Sequence, residues 1–127
     1  MREDSELLRK LEQIRSMGNI CGIILARKNG EPITKTLSQD FKKVMTDLEN
    51  FSAMCATAFE GGMGIAYNSN KKGITQIFAE LADHNLVIKE CNEEMILIMV
   101  LIKSMNVSNL MADFNNLVKK INESLEN

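Results

Sequence analysis

Apolar residues fall three and four apart at the start of the chain. Leu7, Leu8, Leu11, Ile14 and Met17 make one helical stripe, which Asp4 or Ser5 can cap and Gly18 can end. The period then changes. "ICGIILAR", Ile20 to Arg27, is apolar on both sides: Ile20, Gly22, Ile24 and Ala26 alternate with Cys21, Ile23 and Leu25. A strand with no polar face has to be covered on both. Asn29-Gly30 suits a tight hairpin turn with positive φ. Pro32 cannot donate to a ladder, so the strand it opens belongs at an edge.

A long helix starting at Ser38 or Asp40 is predicted next, with Phe41, Val44, Met45, Leu48, Ser52, Cys55 and Phe59 on one face. Its second half carries a further stripe, Met54, Ala58, Gly61 and Ile65, at least a quarter-turn from the first. A surface helix needs only one apolar stripe, so this half is expected to meet a second partner. Gly61, Gly62 and Gly64 each disfavour helix by about 1 kcal/mol relative to alanine, but small residues also let another backbone approach. The helix is expected to end near Tyr67.

From Gly73 the period becomes two. Strands are expected over 74–82, 86–91 and 95–103, joined by "DHN" and "NEE". Ile77, Ala79 and Leu81 alternate with Gln76, Phe78 and Glu80, as in an edge strand. "MILIMVLI" is apolar on both faces, like the first strand, so the two should be neighbours in the middle of one sheet with helices on either side. Ser108 can cap a closing helix whose face carries Leu110, Met111, Phe114, Leu117, Val118, Ile121 and Leu125. The order is αββαβββα, an α/β (α+β) chain of one domain, 1–127, with an ordered core of about 5–125.

Charge and chemistry narrow the function more by exclusion. A formal charge of −2 over 127 residues offers no basic face for nucleic acid. The N-terminus is charged from Arg2 with no apolar run after it, so no signal peptide is expected. The longest apolar run, 95–102, is far short of the roughly 20 residues of a membrane helix. Cytoplasmic location, without membrane insertion, is the expectation, and sequons such as Asn50-Phe51-Ser52 would stay unmodified. Cys21, Cys55 and Cys91 have no metal-ligand spacing and read as small buried hydrophobes in a reducing compartment. His84 lies in a predicted turn, and "GGMG" lacks the lysine of a phosphate cradle. No catalytic residue, cofactor or metal is expected, and the chain does not read as an enzyme.

"GIILARKNGEPI", the helix "DFKKVMTDLENFSAMCATAFEG", the pair "GITQIFAELADHNLVIKE" and the strand "MILIMVLIKS" together resemble a roadblock (dynein light chain) domain, from about Leu7 to Leu125. The glycine triplet departs from the alanine-rich helix of many such domains. The resemblance implies a three-layer α/β/α fold of the profilin-like or longin-like kind. Its five-stranded antiparallel sheet has order 2-1-5-4-3, with the first and last helices on one face and the long helix on the other. It also implies a dimer with itself or a related roadblock protein, joined through the third strands and the long helices. Met54, Ala58, Gly61, Ile65, Thr75, Ile77 and Ala79 would line that interface. Roadblock domains serve as regulators of, or platforms for, small Ras-like GTPases, or as structural light chains in motor and scaffold assemblies. Both functions are expectations for this chain.

Overall fold

The computed structural model describes residues 2–17, 20–103 and 111–126. Helix α1 (Arg2–Met17) leads into the hairpin β1 (Ile20–Arg27) and β2 (Pro32–Leu37). Helices α2 (Gln39–Val44) and α3 (Leu48–Asn68) follow, then β3 (Gln76–Glu80), β4 (His84–Glu90), β5 (Met95–Ile102) and α4 (Met111–Glu126). The strands form one sheet in the order β2-β1-β5-β4-β3, with each pair antiparallel.

β1, β5 and the middle of β4 are covered on both faces. On one face Leu7 and Leu11 of α1 and Phe114, Leu117 and Ile121 of α4 pack on Ile23, Leu25, Val87, Leu97 and Met99. On the other, Phe41 of α2 and Cys55, Ala56 and Phe59 of α3 pack on Ile24, Ala26, Ile88, Ile96 and Ile98. Asn122 ties α4 to the β4–β5 turn. Its Nδ2 donates to the Cys91 carbonyl at 2.7 Å, and its Oδ1 accepts from Asn92 Nδ2 at 2.9 Å. At the other end of that face Arg15 Nε donates to the buried Thr36 hydroxyl at 2.8 Å.

Several boundaries differ from the sequence expectation, each for a local reason. α1 begins at Arg2, so Asp4 and Ser5 lie inside its first turn and do not cap it. Gly18, Ser108 and Leu110, expected at helix ends, lie outside the described residues. The expected single long helix is two. Ser38 Oγ accepts from the Phe41 N–H and opens α2, Met45 turns extended (φ −81, ψ 95), and Asp47 accepts from the Asn50 N–H to open α3. In one continuous helix Thr46 and Asp47 would lie on the polar surface, but an aspartate that satisfies an orphan N–H competes with the helix backbone.

The alternation of β1 also breaks. Ile20 pairs with Leu101 and Gly22 with Val100, so Cys21 is the extra residue of a bulge. Ile20 packs with Ile23 and Leu25 on the α1/α4 side, while Cys21 packs on the side of α2 and α3. In the hairpin only Gly30, not Asn29, has positive φ (+99). The Gly30 N–H donates to the Arg27 carbonyl at 2.8 Å and the Arg27 N–H to the Glu31 carbonyl at 2.9 Å, the pattern of a three-residue loop with a bulge glycine. β3 is shorter than expected, and His84 lies in β4, not in a turn. Its ring stands edge-on to Phe41, with centroids 5.3 Å apart.

α3 continues through its glycines and ends at Asn68, one residue past the expected Tyr67. The Lys71 N–H reaches the Ala66 carbonyl and the Asn70 N–H the Tyr67 carbonyl, with Asn70 left-handed at φ +63. This is a Schellman ending in which asparagine takes the usual glycine's place.

Ser52 faces the sheet from α3, is fully buried, and its hydroxyl has no hydrogen-bond partner. A buried hydroxyl left unbonded costs about 1–3 kcal/mol, and alanine is also the better helix former. Ser52→Ala is therefore expected to raise stability by about 1 kcal/mol, read as a higher urea midpoint at unchanged slope. A lower midpoint would mean that the hydroxyl is bonded after all.

Candidate interaction surface

α3 buries Ser52, Cys55, Ala56, Phe59 and Ala66. Met54, Ala58, Gly61 and Ile65 occupy a separate stripe, about a third of a turn away at 100° per residue. Met54 is 64% and Ile65 70% exposed, and Ala58 and Gly61 are exposed between them. A side chain added at Gly61 would meet nothing within 4 Å, whereas one at Gly62 would run into Ile74 and Ile77. The two glycines thus serve opposite sides: Gly62 lets α3 approach its own β3, and Gly61 leaves a hollow on the outer surface.

β3 borders that stripe. It pairs with β4 alone, so its other side is an edge that no strand among the described residues occupies. Thr75 is exposed, and its carbonyl accepts from the Glu90 N–H at 2.8 Å. Ile77 and Ala79 are half-buried against the core beneath α3. The structure thus brings the stripe and the third strand together. It leaves Met54, Ala58, Gly61, Ile65 and Thr75 open and turns Ile77 and Ala79 into their own subunit. Ile77→Lys would therefore put an ammonium into that core as well as at the edge.

Phe78 shares its strand face with Gln76 and Glu80 and is not among the contact residues expected from the sequence. It is 44% exposed and sits on the α1/α4 side of β3, across from Val87 of β4. The available signal was a phenylalanine on a strand face otherwise made of Gln76 and Glu80. Lys103 rims this end, donating to the Leu81 carbonyl at 2.7 Å and lying 3.5 Å from the Glu80 carboxylate. That exposed pair adds little stability. Lys28 bonds Glu90 at 2.8 Å and lies 5.9 Å from the Phe59 ring centre, holding the far end of β4 to α3.

Reactive chemistry is sparse here. Among the described residues no three His, Cys, Asp or Glu side chains stand together as a metal site. A groove between the β1–β2 turn and the start of α3 is lined by the exposed side chains of Glu31, Lys35 and Glu49. Burial pushes the Cys55 and Cys91 thiols from 9.0 up to about 11. Burial, and secondarily the Asp40 charge, raises Cys21 as well. The fold accommodates the neutral thiol, so Cys55 and Cys91 keep their protons where the unfolded chain has lost them. Their contribution to stability is complete below pH 9 and is lost as pH rises toward 11. The melting temperature is expected to fall across that window. At pH 8 a thiol reagent should label Cys55 and Cys91 only as fast as the protein opens. Rapid labelling of the folded protein at either position would contradict the burial.

Two-sided coverage of a 2-1-5-4-3 sheet, a bare helix stripe and an open third strand define a three-layer α+β domain of the roadblock type. The Roadblock/LC7 domain profile matches residues 6–101, and the chain belongs to that family. Solved structures agree on the fold. A Roadblock/LC7 domain from Streptomyces avermitilis superimposes with TM-score 0.77 at 16% identity, covering 96% of this chain and 97% of that one. An MglB with tetrameric arrangement gives 0.81 at 10% identity, covering 98% and 89%. Myxococcus xanthus MglB gives 0.76 at 16% identity, covering 98% and 88%. No curated protein matches the sequence. No helix among the described residues is long and apolar enough to cross a membrane.

Proposed function

We propose that this chain is a single roadblock domain that pairs with a second copy of itself, and that the pair acts in the cytoplasm as a binding module for a small Ras-like GTPase. One observation carries the pairing: α3, which meets β3 at Gly62, bears an exposed apolar stripe, and β3 has an unfilled edge. Each feature alone is a liability in water, the edge because it templates further strands and the stripe because it exposes apolar area. A two-fold copy covers both at once, since an isologous contact sets stripe on stripe and edge on edge. Met54, Ala58, Gly61 and Ile65 would meet their counterparts, and the strand carrying Thr75, Ile77 and Ala79 would continue the sheet. A structural neighbour described in a tetrameric arrangement is in keeping with self-association.

The GTPase partner rests on membership of the family. On this reading the module contributes no catalytic group of its own, and any change in nucleotide turnover comes from ordering the partner's own switch loops. The test is a pull-down and GTP-turnover assay against small GTPases of the same source. Binding that depends on the nucleotide state is the expected result. Binding that ignores nucleotide and leaves turnover unchanged would favour a light-chain or scaffold role. No binding in either state removes the GTPase reading.

A further inference from the structure

The edge of β3 carries a definite set of open hydrogen-bonding groups. The Glu90 N–H bonds to the Thr75 carbonyl and the Leu81 N–H to the His84 carbonyl, both at 2.8 Å. In an antiparallel strand the N–H and C=O of one residue point to the same side, and the side alternates along the chain. Thr75 and Leu81 face β4, so Ile77 and Ala79 between them face β4 too, opposite Ile88 and Leu86. Gln76, Phe78 and Glu80 therefore direct their backbone groups outward.

When two copies of such a strand join about a two-fold axis, only outward residues can exchange bonds. An axis at Phe78 uses all three, pairing Gln76 with the partner's Glu80, Phe78 with the partner's Phe78, and Glu80 with the partner's Gln76. An axis at Ile77 or Ala79 forgoes one of those pairs. An axis at Glu80 sets two carboxylates opposite each other, whereas the Phe78 axis gives each carboxylate an amide donor. The Phe78 axis also explains an otherwise costly feature. The half-exposed Phe78 ring finds its twin directly across the seam, where aromatic pairs stabilise antiparallel strands.

We propose that two copies zip together through β3 in the register centred on Phe78, with the two Phe78 rings in contact on the α1/α4 face of a continuous sheet. This deepens, and rests on, the homodimer proposed above. Directly bonded antiparallel partners have Cα atoms about 5.5 Å apart, within disulfide range, whereas diagonal neighbours at about 7–8 Å lie beyond it.

Three variants, Ile77→Cys, Phe78→Cys and Ala79→Cys, are oxidised mildly and run without reductant, with the unsubstituted protein and its native cysteines as the blank. Phe78→Cys should give a reducible dimer at least about tenfold faster than the other two. Faster cross-linking through position 77 or 79 would overturn the register while leaving the dimer standing. A monomeric mass for the unsubstituted protein in light scattering would overturn both. A second test leaves the phenylalanine in place. Gln76→Glu sets like charges across the seam twice and should weaken the dimer about three- to tenfold. Adding Glu80→Lys should restore it. No change from Gln76→Glu, or no restoration by the double substitution, would also overturn the register.

Discussion

Ala58→Arg is expected to turn a dimer at micromolar concentration into a monomer with the same helix and strand content. Ala58 is exposed in the middle of α3, and arginine is nearly as good a helix former as alanine. The isolated subunit therefore has no reason to change. In the pair, the guanidinium would face Met54, Gly61 and Ile65 across the axis, with its counterpart pointing back. An ion buried without a partner costs several kcal/mol, so the dissociation constant should rise at least about a hundredfold, or ~2.7 kcal/mol. Sedimentation or light scattering reads the mass, and far-UV circular dichroism reads the fold. If the substituted protein keeps its dimer mass, the α3 stripe is not the contact. Ala58 is a better choice than Ile77, because Ile77 also supports its own subunit.

Gly30→Ala should produce the largest loss of stability of any glycine-to-alanine change among the described glycines. Gly30 has φ +99, and a Cβ there would stand 2.6 Å from Ala53 Cα. The left-handed backbone costs an L-residue about 1–2 kcal/mol. Forcing atoms into a packed contact adds about 1–3 kcal/mol. That second term cannot relax by a rotamer change, since the obstacle is the backbone of α3. A total of roughly 2–5 kcal/mol corresponds to a melting point lower by on the order of 10 °C or more. Thermal and urea unfolding would measure it, and a loss under 1 kcal/mol would mean that the hairpin and α3 are not in contact as described. The turn packs against Ala53 on α3, the helix that carries the outward stripe.

The features legible in the sequence were those in which one element's own pattern states its surroundings. "CGIILA" and "MILIMVLI" have no polar face, so they had to be the covered middle of a sheet, and β1 and β5 are paired there. The stripe of Met54, Ala58, Gly61 and Ile65 showed that α3 had a face its own core did not use, and it is bare in the folded chain. The break at Met45 and the cap at Asp47 were harder to see. Met45 fits the apolar face and Asp47 the polar face of one continuous helix, so periodicity does not mark the break that the extended Met45 and the Asp47 cap make between α2 and α3. The bulge at Cys21 left no mark, because the residues on either side of it are apolar whichever way they point.

By itself, then, the sequence determined element type, the two central strands and the existence of a surplus apolar stripe. Each of these follows from local periodicity, a property of residues close together in the chain. Tertiary structure alone decided which way the side chains of β3 turn, that Gly62 rather than Gly61 admits Ile74 and Ile77, and which backbone groups of the edge stay open. Those outcomes depend on the hydrogen-bond phase between β3 and β4 and on the depth at which α3 sits over them. Both are set by contacts between distant segments, which no repeat along a single segment encodes.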